Sequence, residues 1–204
     1  MRKSWRRAGG IAALAIFAWL CGLASGCLNS DGLDAPAHVD IVANPAPDPA
    51  DGPPITGVRV EQGGLAFGAP RLDVDARGRV VYRERRPGSG AGADDGRGVY
   101  ESEFTLTPEE LSALHAFIAE IGFSGMKEAY HPAAMILDGD VCTFIVTRGD
   151  QSKKVYCNNA FPRGLWLLRK MAFQTLPAAH AAEIAAGGRK IGPYRDGVWM
   201  GSVL

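Results

Sequence analysis

Apolar and polar residues change their spacing several times along the chain, and each change predicts an element. Val58 and Val60 alternate with Arg59 and Glu61, the period of two of a half-buried strand. Arg71 to Asp75 and Val80 to Glu84 repeat that pattern on either side of Ala76-Arg77-Gly78-Arg79. That linker reads as a hairpin turn in which Gly78 supplies the positive φ. Pro87 to Gly98 is Gly-rich and predicts a loop, after which Val99 to Leu106 returns to a strand pattern.

At Thr107 the period changes to that of a helix. Thr107-Pro108-Glu109-Glu110 combines an N-cap hydroxyl, a proline at the first helical position and a glutamate that closes a capping box. Leu106 and Leu111 bracket the cap as a hydrophobic staple. Leu111, Leu114, Phe117, Ile118 and Ile121 hold one apolar face, and Gly122 stops the helix. A second helix is predicted over Arg163 to Leu176, with Leu165, Leu168 and Ala172 on one face and Ala178 to Ala186 extending it past Pro177.

Between the helices, Val141 to Thr147 and Ser152 to Cys157 form a second predicted hairpin turning at Gly149-Asp150. Cys142 and Cys157 are equidistant from that turn and therefore face each other. Counting outward places them at a hydrogen-bonded pair, where Cα atoms lie about 5.5 Å apart, within disulfide range. Phe144, Val146 and Val155 share their face, so the side packs inward. The order strands, helix, hairpin, helix predicts an α+β fold, with an antiparallel sheet of about five to six strands and two helices packed on one face.

The ends of the chain read differently. Arg2, Lys3, Arg6 and Arg7 precede an apolar run from Ile11 to Leu23 and then Ala24-Ser25-Gly26. A basic start, a short apolar stretch and small residues make a secretory signal over residues 1–26. The run falls short of the roughly 20 residues of a membrane span. Leu23-Ala24-Ser25-Gly26-Cys27 resembles the lipobox of bacterial lipoproteins, with Ala24 where that family prefers leucine. The resemblance implies cleavage before Cys27, acylation of its thiol and anchoring in a lipid bilayer. Leu28 in the next position implies the outer membrane of a two-membrane cell. Ordinary cleavage at the same bond, giving a secreted or periplasmic protein, is the alternative.

Residues 27–54 read as a tether, clearest in the proline- and acid-rich stretch Asn44 to Pro54, which lacks large apolar side chains. The globular part is then expected over 55–186, with 187–204 a C-terminal tail of no assigned structure. Export also bears on the four cysteines. Cys21 leaves with the signal and Cys27 takes the lipid, so Cys142 and Cys157 remain as a pair in an oxidising compartment. A disulfide between them is expected, two buried thiols packing as small apolar groups being the alternative.

From Ile55 to Phe173 the element order resembles a family of uncharacterised domains carried by bacterial lipoproteins and secreted proteins. The match lies in Gly78-Arg79-Val80-Val81-Tyr82, in Phe104 to Leu111 and in Ile121-Gly122-Phe123. Members often carry a Gly-Cys-x-Gly-x-Cys-Pro segment, where this chain reads Gly64-Leu65-Ala66-Phe67-Gly68-Ala69-Pro70 without either cysteine. The resemblance therefore implies a fold and no redox or metal role at that place.

Charge and motifs narrow the function further. The chain has 22 bases and 22 acids; the four bases of the signal leave 18 against 22, a mature charge near −4. That balance does not suit neutralising nucleic-acid phosphates. Gly88 to Ala93 fits a dinucleotide fingerprint formally, but no helix start follows it. Gly122-Phe123-Ser124-Gly125 lacks the spacer of a nucleophile elbow, and Asp138-Gly139-Asp140 lacks the further ligands of a calcium loop. Arg148-Gly149-Asp150 is what a tight hairpin needs. His38, His115, His131 and His180 lack ligand spacing, so no metal, cofactor or catalytic residue is assigned. The expectation is a non-catalytic, membrane-tethered binding or structural module for an envelope protein or cell-wall partner. The rival is a small envelope hydrolase assembled from loop residues, such as His131 with Asp138 or Asp140.

Overall fold

A computed structural model describes residues 35–63, 70–86, 98–132, 140–192, 194–195 and 198–199. The signal 1–26, Cys27 and Asp138 lie outside the described residues. In chain order the elements are β1 (Asp40–Val42), β2 (Ile55–Gln62), β3 (Arg71–Asp75), β4 (Arg79–Arg86), β5 (Gly98–Thr105), α1 (Pro108–Glu120) and β6 (Ala129–Tyr130). There follow β7 (Val141–Arg148), β8 (Gln151–Asn158), β9 (Ala160–Pro162), α2 (Arg163–Lys170), a π-helical turn Met171–Thr175, α3 (Leu176–Ala179), α4 (Ala181–Gly187), β10 (Arg189–Gly192), β11 (Tyr194–Arg195) and β12 (Val198–Trp199).

The class is the expected α+β, with a larger sheet. Eight strands run in the order β10-β5-β4-β3-β2-β7-β8-β6. The β2–β5 and β7–β8 pairings are antiparallel throughout, and β6 joins β8 in parallel. Local chemistry sets both hairpins. Asp75 Oδ1 accepts from the Arg77 and Arg79 amides, and Gly78 takes φ 79°. In the second hairpin Gly149 takes φ 56° while Asp150 stays out of the left-handed region, the pattern of a type II′ turn. Its register pairs Cys142 with Cys157, as the spacing predicts.

Alternation then sorts the side chains. Val58 and Val60, Leu72 and Val74, Val80 and Tyr82, Phe104, Phe144 and Val146, and Val155 are buried on one face. They form one core with Leu114, Phe117 and Ile118 of α1 and with Leu165, Leu168 and Met171 of the second helical segment. The capping box of α1 is complete: the Glu110 amide donates to Thr107 Oγ1 at 3.2 Å, and the Thr107 amide donates to Glu110 Oε2 at 2.8 Å. The second helix widens where Pro177 removes a backbone donor, and the Leu176 amide reaches back to the Met171 carbonyl. His180, between α3 and α4, stacks on Phe104 at 4.4 Å with Nδ1 3.3 Å from Glu183 Oε1.

Both domain boundaries move. The described part of the expected tether, residues 35–54, is not a free spacer, because much of it is a strap bound to the domain. Val39 is buried in the core, and β1 pairs in parallel with β9. Asn44 Oδ1 accepts from the Gly164 amide at 2.8 Å. The Asp48 amide donates to the Ala119 carbonyl, and its carboxylate accepts from Ser124 N and from Arg148 Nη2 at 2.7 Å. A stretch with so little apolar surface cannot order itself, but a partner elsewhere in the chain can hold it. The tail gains structure too: β10 adds to β5, and β11 pairs with β12.

Candidate functional site

The face of the sheet away from the helices is a ladder of charge. One row crosses seven strands as Arg189, Glu101, Arg83, Arg71, Glu61, Thr143 and Tyr156, each directly opposite the next. The row beside it reads Glu103, Val81, Asp73, Arg59, Ile145 and Lys154. Arg71 and Arg83 face each other, an unfavourable pairing unless each finds an acid. Each does. Arg71 Nε and Arg59 Nε both reach Asp73 at 2.5 Å, and Arg83 Nε reaches Glu101 Oε2 at 2.8 Å. Arg189 Nη2 supplies the other Glu101 oxygen at 2.9 Å. Partial burial alone would raise the Glu101 carboxyl, but the Arg83 and Arg189 guanidiniums outweigh it and hold the group below its ordinary range.

Within this ladder lies a depression of about 620 Å³. It is lined by Gly57, by the apolar side chains of Val81 and Ile145, and by the charged Arg59, Arg79 and Asp73. Thr147 and Ser152 also line it, with Thr147 Oγ1 and Ser152 Oγ 2.8 Å apart. A Cβ at Gly57 would meet Thr147 at 3.6 Å, an ordinary contact, so this glycine leaves room in the cleft rather than avoiding a clash. Among the described residues, the sole large apolar side chain that is exposed is Val42, at 37%. The face thus offers hydrogen bonds and charge around a small apolar wall.

The sequence-derived candidates fall elsewhere. His131 lies against Tyr156 with ring centroids 5.8 Å apart. Asp140 is committed to another partner: its Oδ1 accepts from Arg169 Nη2 at 2.5 Å, and its Oδ2 lies 3.6 Å from His38 Nε2. Arg169 also covers the Trp166 ring at 4.6 Å. The structure therefore groups Asp140 with His38 and Arg169, a cluster no spacing in the sequence suggests. Among the described residues no group of three His, Cys, Asp or Glu is placed to hold a metal ion, and no helix is long and apolar enough to cross a membrane.

Cys142 and Cys157 are free thiols, both fully buried, so the bridge expected from the sequence is not formed here although its register is. Burial pushes the Cys142 thiol well above its ordinary range and Cys157 up to about 12. Burial therefore disfavours the thiolate at both sulfurs.

Comparison of the chain with protein-family models and with curated proteins finds no match. No local motif in the sequence marks the open face. Its signal is nonetheless present, since Arg59, Asp73, Val81 and Ile145 occupy the outward positions of strands whose inward positions are apolar.

Proposed function

We propose that the chain is an exported envelope lipoprotein, acylated at Cys27, whose open sheet face docks a polar component of the envelope without chemistry of its own. The observation that carries the docking reading is the depression of about 620 Å³, lined by Gly57 and set in a ladder of paired charges. Pairing of Arg59 and Arg71 on Asp73, and of Arg83 and Arg189 on Glu101, fixes the guanidiniums before a partner arrives. A preorganised face loses less side-chain freedom on binding than one of free arginines. The charged start, the apolar run and Cys27 support the address and the anchor. The form of the hydrolase reading that uses Asp140 loses support, because Arg169 holds that carboxylate.

Two measurements test the two halves. Intact mass of the mature protein is expected to begin at Cys27 with an acyl-glycerol addition, and a Cys27→Ser variant to leave the membrane fraction. An unmodified soluble wild type ends the lipoprotein assignment. For the face, a photo-crosslinking residue at 145 is expected to trap a partner in intact cells, and Gly57→Leu to abolish the adduct by filling the cleft. A probe at Glu109, on the exposed start of α1, serves as the control. Equal labelling from 145 and 109, or none from 145, rejects the docking face.

A further inference from the structure

The two thiols sit below the point at which the strap hooks onto the sheet. Cys142 and Cys157 are opposite each other in β7 and β8. Just beyond them, where the strands end, Asp140 and Asn159 continue the contact: the Asn159 amide donates to the Asp140 carbonyl at 2.9 Å, and the Asp140 amide donates to Asn159 Oδ1 at 2.8 Å. Asn159 is fully buried and holds φ 52°. Its carbonyl accepts from the Asp40 amide at 2.7 Å, the hydrogen bond that begins the pairing of β1 with β9. Asp140 carries a second hold on the strap through His38 at 3.6 Å. Separation of the strand ends at 140 and 159 would therefore loosen these two of the strap's holds together.

We propose that Cys142 and Cys157 are a site of thiol–disulfide exchange, and that the bridge formed there clamps the strand ends to which the strap is hooked. The oxidant is an incoming disulfide, either small or carried by a thiol oxidoreductase. One thiolate attacks it to give a mixed disulfide and one released thiol; the second thiolate displaces the other thiol and closes the Cys142–Cys157 bond. Two protons and two electrons leave the pair and reduce the incoming disulfide to two thiols. Both sulfurs are inaccessible once the sheet is closed, so exchange takes place while the hairpin is still open. The folded, reduced chain then resists oxidation, and the folded, bridged chain resists reduction. The bridge needs an oxidising compartment in the cell, and to that extent rests on the export reading.

The test uses the mature chain refolded in a mixture of reduced and oxidised glutathione, then denatured without reductant, alkylated and mapped. A linked Cys142–Cys157 peptide, lighter by two hydrogens than the two free peptides, is the expected result. Two alkylated cysteines overturn the proposal. The same map on protein recovered from cells separates the premises: linkage after refolding but alkylated thiols from cells rejects export, not the pair. Hydrogen exchange reads the clamp. The Asp40 and Gly164 amides are expected to exchange roughly tenfold faster in the reduced than in the bridged protein, a part of the loop-closure effect. A Cys142→Ala/Cys157→Ala variant, which keeps the core apolar, is expected to exchange as the reduced form does whatever the redox conditions. Equal protection in bridged and reduced protein overturns the link to the strap.

Discussion

The two faces of the sheet are built by the same strands from alternate residues, yet they hold together by different physics. On the inner face, Phe144 and Val146 lose nearly all contact with water, and stabilisation follows the apolar area removed. On the outer face, Arg59, Asp73, Arg83 and Glu101 keep 13–41% of their side-chain surface in water, and their ion pairs gain little beyond the water they replace. Stability is therefore concentrated on one side and adaptability on the other. A face that contributes little to folding is free to be specialised for binding.

The largest expected contrast is between neighbours on β7. Phe144→Ala should cost about 3–5 kcal/mol, because it opens a cavity in a core that cannot fully collapse. Ile145→Ala, one residue on and facing outward, should cost about 1 kcal/mol or less. Urea denaturation of both variants measures the difference, and comparable losses would mean that the outer face is itself part of the core.

A second contrast uses one chemistry at two depths. Asp48 is 4% exposed and pairs with Arg148, whereas Asp73 is 24% exposed between Arg59 and Arg71. Asp48→Ala leaves a guanidinium poorly solvated and frees the strap, so a loss of about 3 kcal/mol is expected. Asp73→Ala should cost about 1 kcal/mol or less, and that effect should shrink further in high salt. An Asp73 variant that loses as much as the Asp48 variant would erase the distinction between the faces.

The smallest effect is one of pH. The folded carboxyl of Glu101 is held below its ordinary value, so the unfolded chain takes up that proton first as the solution is acidified. Its contribution is present above the ordinary glutamate range and disappears as pH falls through the lowered folded value. Glu101→Gln should accordingly lose stability near neutrality and approach the wild type in acid. Denaturation midpoints for the two proteins that stay equally far apart at both pH values would assign the difference to packing instead.

Much of this is legible in the sequence. Local rules act over a few residues, so the capping box at Thr107, the positive φ at Gly78 and the facing of Cys142 and Cys157 could all be read from spacing. The strap could not. Asn44 is held by Gly164 across 120 residues of chain, and Asp48 by Arg148 across 100, and no local pattern encodes such a partner. β10 was hidden for a different reason: Arg189-Lys190 on a sheet edge carries no apolar alternation. The outer face was visible as charge but not as a cleft, because a depression depends on which strands become neighbours. β2 lies between β3 and β7, which brings Ile145 beside Arg59 only after the chain has folded.

Gly122 shows how such a long-range arrangement is written into a single position. It ends α1 at φ 68°, a value that already favours glycine, and a Cβ there would also collide with the Ala46 carbonyl of the strap. Two separate demands, one from the helix and one from a segment far back in the chain, fall on the same hydrogen atom. Relief of either leaves the other in force, so release of the strap would not make the position permissive. In a saturation-mutagenesis experiment residue 122 should behave as a fixed point, while Gly149, which has open space around it, should lose less on substitution because only its backbone conformation opposes a side chain. The pair would then separate a glycine retained for backbone conformation alone from one that also records where a distant part of the polypeptide runs.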